Sequence, residues 1–168
     1  MTFSIIPIQE QHIEGFHHAL DQVARERRYL AFLEAPSLES SYTYALNNIK
    51  RNIPHFVALK EDKVIGWCNI SMIERPIFSH VGVLGMGVLA EHRGKGVGKA
   101  LIQATLEASR NIGLTRIELI VREGNLKAMR LYKAFGFCIE GIKRRAGFMD
   151  GQYEDITCMA LLFDEDTP

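Results

Sequence analysis

The stretch EHRGKGVGKAL, Glu91–Leu101, sets Gly94, Gly96 and Gly98 at every second position among Arg93, Lys95 and Lys99, then runs into aliphatic residues. The apolar run VGVLGMGV (Val81–Val88) precedes it, and Leu101, Ala104, Thr105, Ala108 and Ile112 follow on one helical face. The glycines therefore mark a strand-to-helix junction. The first amides of a helix lack internal partners and lie at the positive end of its dipole, and glycine lets that backbone approach an anion with no Cβ between. A diphosphate suits such a loop, with Arg93, Lys95 and Lys99 adding charge. A glycine-rich surface turn with solvated lysines is the plainer reading of the same residues.

Two nucleotide motifs can be tested against this segment. The P-loop requires glycine where Arg93 stands and Ser or Thr where Ala100 stands. A loose dinucleotide fingerprint, GMGVLA (Gly85–Ala90), is not followed at once by a helix. What remains is Arg-x-x-Gly-x-Gly, Arg93–Gly98, between a strand and a helix.

Outward from this junction, the spacing predicts a first strand over Phe3–Ile8 and a helix carrying Phe16, Leu20 and Val23. A second helix spans Glu39–Arg51 and ends before Pro54. HFVALKEDKVIGWCNISMI reads as a hairpin turning at Glu61 and Asp62. Gly82, Gly85 and Gly87 weaken the strand ahead of the loop, as where a ligand or another backbone comes close. Gly113 stops the long helix, and TRIELIV is the next strand, with Ile117, Leu119 and Val121 on one face and Glu118 and Ile120 on the other. NLKAMRLYKAF is a helix capped by Asn125 and closed by Gly136, and a last strand pair turns at Asp150 and Gly151. The order βααβββαβαββ predicts an α/β (α+β) fold, a mixed and mostly antiparallel twisted sheet flanked by helices.

With 168 residues and no linker, repeat or low-complexity segment, the expectation is one domain over 1–168. Twenty basic residues balance twenty acidic ones, so no global field draws in nucleic acid or an anionic membrane. The amino-terminal residues show no basic-then-apolar leader, and no run approaches a membrane span. Cys68, Cys138 and Cys158 each lie in an apolar run and read as buried free thiols rather than a metal site, in keeping with a cytoplasmic protein.

MGVLAEHRGKGVGKALI resembles the acetyl-CoA strand and pyrophosphate loop of the GCN5-related N-acetyltransferases (GNAT), and NLKAMRLYKAFGFCIEG resembles the helix and strand that complete their cofactor site. The resemblance covers Val64–Leu162, in the family's order, and is nearest to compact bacterial members that acetylate amino acids or similar metabolites. It implies acetyl-CoA as co-substrate, with no metal. It also implies that backbone groups of Met86, Gly87 and Val88 take the pantetheine arm. The segment Arg93, Gly94, Lys95, Gly96, Val97, Gly98 and Lys99 would take the diphosphate, Asn125 would sit near the pantetheine, and Tyr132 would be the general acid. Asn125 is equally a helix cap, and Tyr132 equally a packed ring with its hydroxyl at the rim.

Acetyl transfer needs a neutral amine, a polarised carbonyl and a proton for the leaving thiolate. An amine of pKa ~10.4 is neutral at pH 7 in roughly one molecule in 2,500, so a base or a desolvated pocket must help. No acid lies on VGVLGMGV; His80 and Glu118 are candidate bases, each with a plainer structural role, and a solvent relay is the alternative. The Val88 amide is the expected carbonyl donor. Tyr29, Phe32, Glu34 and Tyr153 are candidate acceptor contacts, and the same segments read otherwise as core and solvated helix face. The expected activity is acetylation of a small-molecule primary amine, such as an amino acid or analogue. Alternatives are a protein N-terminal acetyltransferase of the ribosomal-protein type and a noncatalytic acyl-CoA sensor. A homodimer through the last strands is a further expectation of the resemblance.

Overall fold

The computed structural model describes residues 2–163. Strand β1 (Ser4–Pro7) leads into helices α1 (Ile13–Arg25) and α2 (Leu38–Lys50). The hairpin β2 (His55–Lys60) and β3 (Lys63–Met72) precedes β4 (Val81–Val88) and α3 (Val97–Asn111). The chain continues through β5 (Arg116–Arg122), α4 (Leu126–Ala134), β6 (Cys138–Met149) and β7 (Gln152–Leu162). This is the order expected from the sequence.

Local chemistry sets the boundaries. Ser37 caps α2 by accepting a hydrogen bond from the Ser40 amide at 3.1 Å. Glu61 and Asp62 both take positive φ, as do Asp150 and Gly151, giving the tight turns that the twist of a hairpin favours.

The seven strands lie in the order β1-β2-β3-β4-β5-β7-β6, and every neighbouring pair is antiparallel except β4 and β5. Alternation divides the side chains between two cores. One, under α3 and α4, holds Ile70, Leu101, Ile102, Ile117 and Met159; the other, under α1, holds Ile13, Phe16, Val57 and Trp67. Ile117, Leu119 and Val121 share the first core while Ile120 is half exposed, as the β5 pattern requires.

The sheet is broken at its middle. Strands β4 and β5 pair only from Val81 with Arg116 to Val83 with Glu118. Beyond that point β4 stays on β3 as far as Val88, while β5 stays on β7 as far as Arg122. The two strands splay apart and leave a gap in the sheet.

Two expectations are corrected. Cys138, on edge strand β6, is exposed and Cys158, on β7, is half-buried; only Cys68 is buried, which pushes its thiol up to about 12. A Cβ on Gly87 would lie 2.3 Å from the Trp67 ring, and one on Gly82 would lie 2.6 Å from Ile70. At these two positions the close approach is made by the protein's own core, not by a ligand.

His55 on β2 is buried beneath Phe16, with ring centroids 4.6 Å apart, and its Nε2 has no partner among the described residues. Burial pushes its pKa down to about 3, against 6.5 for a free imidazole. The unfolded chain therefore binds a proton that the folded chain refuses between those values, and stability falls as pH drops below 6.5, by about 1.4 kcal/mol per pH unit for this group. Urea unfolding at pH 7 and pH 5 should show His55→Gln losing about 2 kcal/mol less than wild type. Equal losses would exclude His55 as the source.

Candidate active site

The opening between β4 and β5 is a groove of about 1140 Å³. On one side of the sheet it is walled by α3 and α4; on the other it reaches Val23, Tyr29 and Leu30 at the end of α1. The passage runs through the sheet, so two molecules can meet in it from opposite faces.

Its floor is the free edge of β4. The Leu89 amide donates to the Ile65 carbonyl on β3 at 2.9 Å. Alternation along an antiparallel ladder then turns the backbone of Gly87 and Gly85 toward β3 and that of Met86 and Val88 toward the gap. An extended chain laid there would add to the sheet as a strand. The Val88 carbonyl is already used, accepting from Arg93 Nε at 2.8 Å, while the amides of Met86 and Val88 face the opening.

The glycine loop forms one end. Gly94 and Gly96 have φ of +72° and +84°, and a Cβ on either would meet nothing within 4 Å. Gly96 caps α3 without a side-chain hydrogen bond, and the first helical bond there is from the Ala100 amide to the Gly96 carbonyl, at 3.1 Å. The amides of Val97, Gly98 and Lys99 are thus left for an anion. This exposed, unpartnered backbone fits a diphosphate. Gly98 differs: its Cβ would press on Met86 at 3.3 Å and Leu131 at 3.5 Å, so it serves helix packing.

The loop's charges are arranged otherwise than expected. Arg93 turns away to Glu26, donating from both terminal nitrogens at 2.8 and 2.5 Å, and lies over the Tyr29 ring at 4.7 Å. Lys95 Nζ donates to the Glu91 carbonyl at 2.6 Å. Lys99 lines the groove, joined by Lys127 and Arg130 on α4. Sequence reasoning missed these last two, although their i, i+3 spacing on an amphipathic helix could have revealed them.

Helix α4 supplies the other wall. Asn125 caps it, its Oδ1 accepting from the Ala128 amide at 3.3 Å, and Asn125 also lines the groove. Tyr132 lies two turns further on, its ring 5.7 Å from that of Phe137. Burial pushes its phenol above the ordinary range and the nearby Cys68 thiol adds to this, so the hydroxyl stays protonated. Cys68 pairs with Met86 across β3 and β4, and Met86 and Tyr132 both line the groove.

The remaining candidates are scattered. His80 precedes β4 at its closed end, its carbonyl accepting from the Thr115 and Arg116 amides, about 20 Å along the strand from Met86. Glu118 sits where β4 and β5 are still paired, held by Arg116 at 2.7 Å. Neither lines the groove. Of the acceptor candidates, only Tyr29 does. Phe32 is exposed, Glu34 accepts from Arg25 at 3.3 Å, and Tyr153 packs with Phe148 and Arg145 on the outer hairpin. No cluster suited to a metal ion occurs among the described residues, and no helix there is long and apolar enough to cross a membrane.

The loop assignment makes a direct prediction. Gly96→Val should weaken acetyl-CoA binding at least tenfold by calorimetry, because the side chain would fill the open cradle, and should lower stability by about 1–2 kcal/mol through its positive φ. Unchanged affinity in the folded variant would remove the loop from the site.

Comparison with known proteins agrees with this geometry. The chain is 35% identical over 109 residues to the L-amino acid N-acetyltransferase AaaT of Escherichia coli, an alignment covering 64% of this chain and 67% of that protein. It is 35% identical over 74 residues to the L-methionine sulfoximine/L-methionine sulfone acetyltransferase of Pseudomonas aeruginosa, covering 44% of this chain and 43% of that one. The fold matches that of yncA from Salmonella typhimurium, solved with its cofactor acetyl-CoA, at a TM-score of 0.92 and 16% identity, over 100% of this chain and 98% of that one. It also matches a phosphinothricin acetyltransferase from Sinorhizobium meliloti in complex with acetyl-CoA, at 0.91 and 21% identity, over 99% and 91%. Residues 18–137 match the acetyltransferase (GNAT) family as a whole. The chain therefore belongs to the acetyltransferase (GNAT) family.

Proposed function

We propose that the chain transfers an acetyl group from acetyl-CoA directly to the primary amine of a small metabolite, such as an amino acid or analogue. The observation that carries this reading is the loss of β5 from β4 after Val83, which leaves the Met86 and Val88 backbone facing a through-passage between the glycine loop and Tyr29. Acetyl-CoA supplies the activated thioester. The amides of Val97, Gly98 and Lys99 hold its diphosphate, and the free edge of β4 orders its arm.

An arm entering from the loop meets Val88 first and Met86 one pleat deeper. The carbonyl is therefore polarised beside Met86, deeper than the Val88 amide expected from the sequence. Tyr132 lines the same groove, and its protonated hydroxyl is the proton donor to the departing sulfur. A thiolate of pKa ~8.5 leaves readily, so a positioned hydroxyl suffices as donor. The described groove lining holds no carboxylate or imidazole, so the amine loses its proton to water in the open end.

Thiol release from acetyl-CoA, measured over amino acids, their analogues, polyamines and short peptides with product mass confirmed, tests this reading. Turnover of a small amine supports it. Turnover of peptides alone would favour the protein N-terminal alternative, and binding without turnover would favour a sensor.

A further inference from the structure

The face of the groove away from α3 and α4 is walled in part by Tyr29 and Leu30, in the irregular chain that leaves α1. Two arginines hold this segment, one from each half of the splayed sheet. Arg93, bound to the Val88 carbonyl at the end of β4, donates to Glu26 and lies over the Tyr29 ring. Arg122, the last residue of β5, donates from Nη1 to the Leu30 carbonyl at 3.2 Å. Strands β4 and β5 have parted well before these residues, so between Glu26 and Leu30 the chain is tied to both sides of the gap as a strap.

Arg122 is held in one orientation. It is 7% exposed, and alternation sets it on the Ile120 face of β5, opposite the core that takes Leu119 and Val121. Its Nε and Nη2 donate to the two Glu154 carboxylate oxygens, at 2.6 and 3.1 Å. Gly147 on β6 makes room for that carboxylate: it pairs with Glu154 on β7, and a Cβ there would lie 2.5 Å from Glu154 Cγ. A buried ion pair seldom adds net stability over well-packed apolar residues, but a two-pronged pair fixes direction. Here the fixed direction leaves Nη1 on the backbone of the strap. The other tie on this side, Arg27 to Asp150, joins side chains 42% and 68% exposed, where solvent screens it.

We propose that Arg122 is a positioning residue for the acceptor: clamped by Glu154, it holds the Leu30 carbonyl and so sets the groove wall at Tyr29 and Leu30. The proposal rests on the acetyl-transfer reading and adds the group that shapes the acceptor side of that same site. Arg122 does not itself line the groove and acts through Leu30. The glycine loop and α4 stand apart from the strap's β5 anchor, so losing that anchor should reach the acceptor and spare acetyl-CoA.

Arg122→Lys tests this, because an ammonium can stay beside Glu154 but cannot fork between that carboxylate and the Leu30 carbonyl. Hydrogen exchange read by mass spectrometry should show the amides of residues 26–35 exchanging roughly tenfold faster, or more, than in wild type. Kinetics use the amine that wild type turns over fastest among amino acids, analogues, polyamines and short peptides. Its KM should rise roughly fivefold or more, with kcat and acetyl-CoA affinity, the latter by calorimetry, within about threefold of wild type. Gly147→Ala displaces Glu154 from β6 without altering Arg122 or the strap, and should move exchange and KM in the same direction; it takes the place of Arg122→Lys if that variant does not fold. A freed strap with unchanged KM, or unchanged exchange in the folded variants, would overturn the proposal while leaving acetyl transfer intact. So would a joint loss of kcat, acceptor affinity and acetyl-CoA affinity, the mark of a residue that only supports the fold. No turnover of any amine by wild type with acetyl-CoA bound would overturn the acetyl-transfer reading, and this proposal with it.

Discussion

Tyr132→Phe is expected to lower kcat by about 10²–10³ while leaving acetyl-CoA affinity within a few-fold of wild type. The size reflects what the hydroxyl does and does not touch. It makes no hydrogen bond among the described residues, so removing it leaves no orphaned partner in the protein. The ring stays packed on Phe137, and the buried wall of α4 keeps its shape. The loss should therefore fall on the step in which the sulfur leaves, not on binding or folding. Because burial pushes the phenol above its ordinary range, wild-type kcat should also show no falling limb from this group through mildly alkaline pH. Steady-state rates at saturating substrate, together with thermal melts of both proteins, check these outcomes. An undiminished kcat would take the acid role from Tyr132.

Gly87→Ala is expected to destabilise the fold by about 3 kcal/mol, a large penalty for a single methyl group. The new Cβ would fall 2.3 Å from one Trp67 ring carbon and 2.6 Å from the next. Trp67 is 3% exposed and packs edge-on against Phe16, with centroids 5.8 Å apart, so the rigid ring has nowhere to move. In a Trp67→Leu background the penalty for Gly87→Ala should shrink by at least ~1 kcal/mol, because the two substitutions share one contact. Urea unfolding of the four proteins in this cycle measures the coupling. A folded Gly87→Ala protein of wild-type stability that had lost acetyl-CoA binding would instead return Gly87 to the ligand side of the strand.

Features that depend on neighbours a few residues apart are legible in the chain without its fold. The turns at Glu61–Asp62 and Asp150–Gly151, the cap at Asn125, and the β5 alternation are short-range chemistry and can be read residue by residue. So can the glycine loop: Gly94 and Gly96 are needed for their own backbone conformation, which no distant partner alters. Which strand face, which ion pair and which gap each residue would meet came instead from long-range packing. Gly87 and Gly96 are the same residue type within ten positions of each other, yet one makes room for Trp67 and the other opens onto the groove. Arg93 read as a phosphate ligand until Glu26, 67 residues earlier, claimed it. His80 and Glu118 read as bases until the strands closed around them and parted only beyond Val83. Sheet register and ion pairing are set by chain segments far apart in sequence, where the periodicity of one segment gives the direction of a side chain but not the identity of what it meets.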